Sequence, residues 1–292
     1  MHALLGQLPV GLSIGAVLLL VALGLNFTFG QMGVVNMAHG EFLMAGAYTA
    51  FVLQAWFGAQ SVLVGLPVAF VVVGLMGLAL ERGLIRHFYG RPLDTLLLTW
   101  GVSLILQQVA RDVFGAPNVD VAAPGWLAGG VDAAGVRLHY SRLFILALAV
   151  LCVLAVGWYL ARSRTGRQMR AVTQNRQLAA CSGIDTARVD QITFFIGSGV
   201  AGVAGVALTL IGPIGPTLGS TYIVDAFLVV VVGGLGQLRG AVLAAAVLGL
   251  LNAYAEFWSD ASLAKVVVFA VIIAFLQVRP QGLFVLRSRA LT

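Results

Sequence analysis

The chain reads as an all-α, polytopic membrane bundle, and three observations carry that reading. Hydrophobic residues make up 60% of the 292 and charged residues only 10%. Mean hydropathy is +0.99, a value that no soluble domain of this size presents to water. Apolar runs of about 20 residues, the length a helix needs to cross a hydrocarbon core about 30 Å thick, recur along the whole sequence. The net charge of +6 does not argue for nucleic acid, because the Arg residues gather in short segments between apolar runs, as the sidedness rule expects of cytoplasmic loops.

Eight runs qualify as spans: 8–29, 37–57, 61–81, 94–114, 141–161, 191–211, 240–257 and 263–279. The first lacks a basic leader and an A-x-A cleavage site, so it reads as a first span and not as a signal peptide. A further apolar piece, Tyr222 to Val232, is too short to cross unaided and runs into Gly233-Gly234-Leu235-Gly236; it reads as a half-helix or re-entrant segment. The count is therefore eight or nine. Basic residues follow the third run (Arg82, Arg86, Arg91), the fifth, and the last (Arg279, Arg287, Arg289). These clusters place their loops and the C-terminus in the cytoplasm, and the N-terminus and residues 115–140 outside. Nine crossings satisfy both ends.

The segment after the fifth run, 162–190, carries six of the 17 Lys and Arg. From Gly166 to Cys181 it holds no Pro or further Gly, and Ser182-Gly183 supplies a stop, so the spacing predicts one short helix presented to the cytosol as a docking element.

Two glycine-rich turns look like variations on one device. Phe29-Gly30-Gln31-Met32-Gly33 precedes Asn36 and His39-Gly40; Val232-Gly233-Gly234-Leu235-Gly236-Gln237 precedes Arg239-Gly240. Irregular backbone at membrane depth is tolerated where it lines a cavity or is buried in protein, and transporters repeat such breaks in their two halves. Small residues at helical spacing, Gly197-Ala201-Gly205 and Ala241-Ala245-Gly249-Ala253, predict closely packed helices. Ionisable residues inside spans mark functional or paired sites, which singles out His39, Glu41 and Asp225; Glu256 reads as interfacial. On a helix Asn36, His39 and Gly40 share a face, while Glu41 is rotated from His39 by about 200°, so they need not form one site.

Other chemistry is missing from the sequence. There is no phosphate loop, no H-E-x-x-H pair, no G-x-S-x-G elbow and no Cys/His metal spacing, so no catalytic residue, cofactor or metal is expected. Cys152 and Cys181 suit neither a disulfide framework nor a metal site. The chain is not an ATPase, and energy is expected from another subunit.

Three stretches carry a resemblance: GLNFTFGQMGVVNMAHGEFLMAGAYTA, TGRQMRAVTQNRQLAACSGID and AFLQVRPQGLF. In this order they resemble the permease subunits of bacterial ABC importers of the branched-chain amino acid (LivH-like) family, over nearly the whole chain. Within it, NMAHGEFLMAGAYT, TYIVDAFLVVVVGGLGQLRG and AKVVVFAVIIAFLQVRPQGLF are most similar to the urea branch. The resemblance implies a single permease domain over 1–292 in the bacterial inner membrane. It also implies a coupling helix at about 166–183, with Arg167, Arg170, Asn175 and Gly183 as contact and capping positions. The implied partners are a second homologous permease, two cytoplasmic ATPase subunits, an external (periplasmic) solute-binding protein and membrane lipid. Urea is neutral, so its path wants amide-like donors and acceptors, which Thr28, Asn36, His39, Gln54 and Tyr222 supply; Glu41 and Asp225 join them as path candidates. The competing readings are a branched-chain amino acid permease and a stand-alone urea or amide channel.

Overall fold

A computed structural model describes residues 6–133 and 136–284. Arg287 and Arg289 of the C-terminal basic cluster lie outside the described residues. In chain order the helices are α1 (Gln7–Met32), α2 (His39–Phe57), α3 (Ser61–Gly83), α4 (Pro92–Phe114), α5 (Tyr140–Arg162), α6 (Arg164–Gln174), α7 (Arg176–Cys181), α8 (Thr186–Leu208), α9 (Leu218–Gly233), α10 (Leu238–Trp258) and α11 (Ala261–Val278). A two-stranded antiparallel hairpin, β1 (Gly130–Ala133) and β2 (Val136–His139), lies between α4 and α5. Apart from α6 and α7, the described helices are all apolar and 16 to 26 residues long. The short piece at 222–232 is thus a real helix, α9, whose 16 residues span about 24 Å, less than a full hydrocarbon core.

The chain order defines two ends of the bundle. The end of α5, α6, α7 and the start of α8 form one; residues 115–139 and the start of α5 form the other. The Gly-rich turns belong to the first end, where α1 packs on α6. Gly236 donates its N–H to Asn26 Oδ1 at 2.9 Å, and Phe29 meets Phe227 edge-on at 5.6 Å. Leu283 N–H bonds to the Val232 carbonyl at 2.8 Å, so the final apolar motif folds over the same turn. Three stretches far apart in sequence, each conspicuous on its own, therefore meet at one place.

The first difference from expectation lies in the docking element. The predicted helix is broken at Asn175, which adopts an extended backbone (φ −157°, ψ 103°). Its Oδ1 accepts from the Leu178 N–H at 2.9 Å, so Asn175 ends α6 and caps α7. Asn offers the backbone this local alternative to a continuous helix. The predicted stop holds, with Gly183 at φ +80°.

α1 and α8 form the centre, and the small-residue ridges are where neighbours approach. A Cβ on Gly15 would come within 2.7 Å of the Ala245 carbonyl on α10, and Gly205 of α8 faces the Leu43 carbonyl of α2 still more closely. Overpacking such a seam costs about 1–3 kcal/mol. We expect Gly205→Leu to lower the thermal stability of the detergent-solubilised protein by that amount. Gly101→Leu is the control, because nothing lies within 4 Å of that position.

Candidate translocation site

The path candidates separate into four places. Around α2, Asn36 Oδ1 accepts from the Ala38 N–H at 3.0 Å and so starts the helix. His39, fully buried, sets Nε2 at 3.3 Å from the Val21 carbonyl on α1, which selects the tautomer protonated on that nitrogen. Glu41 points the other way, as the helical spacing predicts, and Oε1 accepts from Ser103 Oγ at 2.9 Å and Gln107 Nε2 at 2.8 Å on α4. Its Oε2 has no hydrogen-bond partner among the described residues.

These bonds expose a feature that the sequence reading missed. Thr95, Thr99, Ser103 and Gln107 recur every four residues on α4 and are all buried. They form a polar seam against the start of α2, where Thr99 Oγ1 also accepts from the Met37 N–H at 3.0 Å. Four-residue spacing of hydroxyl and amide groups in an otherwise apolar run was the available signal.

Thr28 and Gln54 stand apart. Thr28 is buried in the α1–α8 contact and its hydroxyl donates to the Leu25 carbonyl at 3.3 Å. Gln54 Oε1 accepts from the Ala122 N–H at 3.0 Å, so it holds the 115–129 segment down on α2.

Tyr222 and Asp225 line a fourth place, a cavity of about 270 Å³ between α1, α9, α10 and α11. Arg142, Glu256 and Lys265 line it too, so Glu256 is part of a charged group. The lining comes from the first half of α1, the first turn of α5, the second half of α10 and the first two-thirds of α11. It therefore lies in the half of the bundle away from α6 and α7.

At that opposite end, the α6–α7 element is tied to the membrane helices through a charged cluster. Arg176 makes a bidentate pair with Asp190 on α8, at 3.1 and 2.5 Å. Its guanidinium lies 5.2 Å over the Tyr89 ring, and Tyr89 donates its hydroxyl to Glu81 Oε1 at 2.9 Å. Burial, and then the Asp190 and Glu81 carboxylates, push the Tyr89 phenol far above its ordinary range, so it remains a donor. Gly166, Met169 and Val172 form the buried face of α6. Arg167 and Arg170 donate to the Arg162 and Leu160 carbonyls, closing the end of α5. Leu178, 64% exposed, stands out on α7 as an apolar residue in a polar element.

The sequence profile of the family described as "Branched-chain amino acid transport system / permease component" matches residues 9–276. The chain belongs to this family. This permease is 32% identical to the high-affinity branched-chain amino acid transport system permease protein BraD of Pseudomonas aeruginosa, over 96% of its own length and 95% of that protein's. It is 31% identical to the corresponding LivH protein of Escherichia coli K12 over 96% and 94%. It is 28% identical to the probable branched-chain amino acid transport permease protein LivH of Methanocaldococcus jannaschii over 91% and 88%. The permease is a multi-pass inner-membrane transport subunit of the ABC type and not an enzyme.

Proposed function

We propose that this permease is a membrane subunit of an ATP-driven importer that carries branched-chain amino acids inward. The observation that carries the reading is the near full-length likeness to permeases named for that substrate. The relatives described above are named for branched-chain amino acids and not for urea, and the charges around the cavity suit a zwitterion better than a neutral amide. The α6–α7 element is the proposed contact for a cytoplasmic ATPase: its buried face fixes it to the bundle, the Arg176 pair ties it to α8, and Leu178 offers an apolar point for a groove. Arg167, Arg170, Asn175 and Gly183 then shape this element as caps and stops. With α6–α7 in the cytoplasm, the N-terminus and the 115–139 segment lie outside. A sister permease, ATPase subunits and an external solute-binding protein complete the proposed assembly.

Uptake of labelled leucine and labelled urea, measured in parallel in cells with the complete transporter and in cells lacking only this subunit, tests the substrate. Leucine uptake should fall to background on deletion while urea uptake is unchanged. Loss of urea uptake alone would restore the urea reading. Persistence of subunit-dependent uptake with hydrolysis-dead ATPases would point instead to a channel.

A further inference from the structure

We infer that the cavity between α1, α9, α10 and α11 is a binding site for a small α-amino acid zwitterion, entered from the face opposite α6–α7. The proposal rests on the amino-acid reading above and deepens it to particular residues.

Four charges of both signs line this one cavity: Asp225, Glu256, Lys265 and Arg142. Lys265 is the chain's only lysine, and it stands in the first half of a membrane helix, where a charge is costly unless something uses it. Among the described residues none of the four is held in an ion pair within 4 Å; the pair found there, Arg176–Asp190, belongs to the other end. Among the described residues Asp225 has no hydrogen-bond partner and Glu256 accepts only from Asn252, at 3.2 Å. Lys265 is nevertheless near enough to act electrostatically on Asp225. Uncommitted charges of opposite sign lining one cavity are what a molecule carrying both signs would complete.

The rest of the lining fits the remainder of such a molecule. Val17, Leu18, Leu228, Leu248, Val268 and Ile272 present branched aliphatic surface. The 270 Å³ volume falls just below the range of drug-sized pockets, about 300–1,000 Å³, a size that suits a single amino acid. The α-carboxylate is assigned to Lys265 with Arg142, the α-ammonium to Asp225 with Glu256, and the side chain to the aliphatic wall.

Because Lys265 is the only lysine, it is a unique reporter. The complete transporter in proteoliposomes is treated with a membrane-impermeant amine reagent from the outer face, and modification of Lys265 is followed by peptide mapping, apart from the terminal amine. Millimolar leucine should slow labelling about tenfold. Urea, isoamylamine (no carboxylate) and 4-methylpentanoate (no amine) should not. Asp225→Asn should abolish the protection and cut leucine uptake by about tenfold or more, as expected when one partner of a charge pair is removed, with Asp225→Glu retaining part of both. Equal labelling with and without leucine, in a transporter that takes leucine up normally, would overturn the site alone. So would full uptake by a double exchange, Asp225→Lys with Lys265→Asp, since a structural ion pair survives that exchange. Absence of leucine uptake in the unaltered transporter would overturn the amino-acid reading and this site with it.

Discussion

Arg176→Ala is expected to uncouple the transporter: leucine uptake should fall to a few per cent while the ATPase subunits still hydrolyse ATP. Asp190 is 1% exposed and Arg176 45%, so the substitution strands the carboxylate and not the cation. Removing one partner of a fully buried pair costs about 3–5 kcal/mol, and the half-exposure of Arg176 places this case at the lower end. Asp190→Asn should cost less, since the freed guanidinium reaches water and an amide oxygen still accepts. Thermal stability in detergent, read beside uptake and ATP hydrolysis, orders the two. The pair is also expected to be insensitive to pH from its cationic side. The Asp190 hydrogen bond holds the Arg176 guanidinium above its ordinary range. A group raised on folding contributes fully below its unfolded value, which for Arg lies far above neutral pH, and its contribution is lost only as pH rises through the still higher folded value. Uptake falling on alkalinisation well below that range would have another cause.

Glu41→Leu is expected to release α4 from the bundle. The substitution leaves the Ser103 hydroxyl and the Gln107 amide, both buried, without their shared acceptor. Each stranded group costs about 1–3 kcal/mol, and because the Gln107 amide still reaches Ser103 Oγ at 3.4 Å the total is about 2–4 kcal/mol. Replacing both sides with apolar groups of similar shape is nearly neutral by the same principle, so the triple variant Glu41→Leu, Ser103→Ala, Gln107→Leu should regain most of the stability. It should not regain transport if the seam lines the path. Cysteine cross-linking between α2 and α4, with melting in detergent, separates stability from function. Recovery of uptake in the triple variant would show that the seam only holds helices together.

Much of the fold was legible because the physics is one-dimensional. Helix length against bilayer thickness, and the pull of Arg toward one face, both act on contiguous residues, and so the apolar runs fall on α1 to α5 and α8 to α11. The small-residue ridges were equally readable, since Gly205 and Gly249 fill one helix face at fixed spacing. Asn175 shows where this reading stops. Its neighbours all favour helix, and whether its side chain joins the helix or caps the next turn depends on how α6 is pinned to α5 and α8. The Thr95-Thr99-Ser103-Gln107 stripe was visible as a period but had no meaning without Glu41 opposite it.

The sequence alone determined the class of the molecule, its apolar helices, its sidedness signals and its family, because each rests on composition or on order along the chain. Only the tertiary structure decided which polar groups share a site. Glu41 joined Ser103 and Gln107 some 60 residues away, Arg176 joined Asp190 and Tyr89, and Asp225 came to face the only lysine. A buried charge or hydroxyl takes whatever partner packing brings within about 3 Å, and that closeness follows from how helices cross, not from how residues are spaced along one of them.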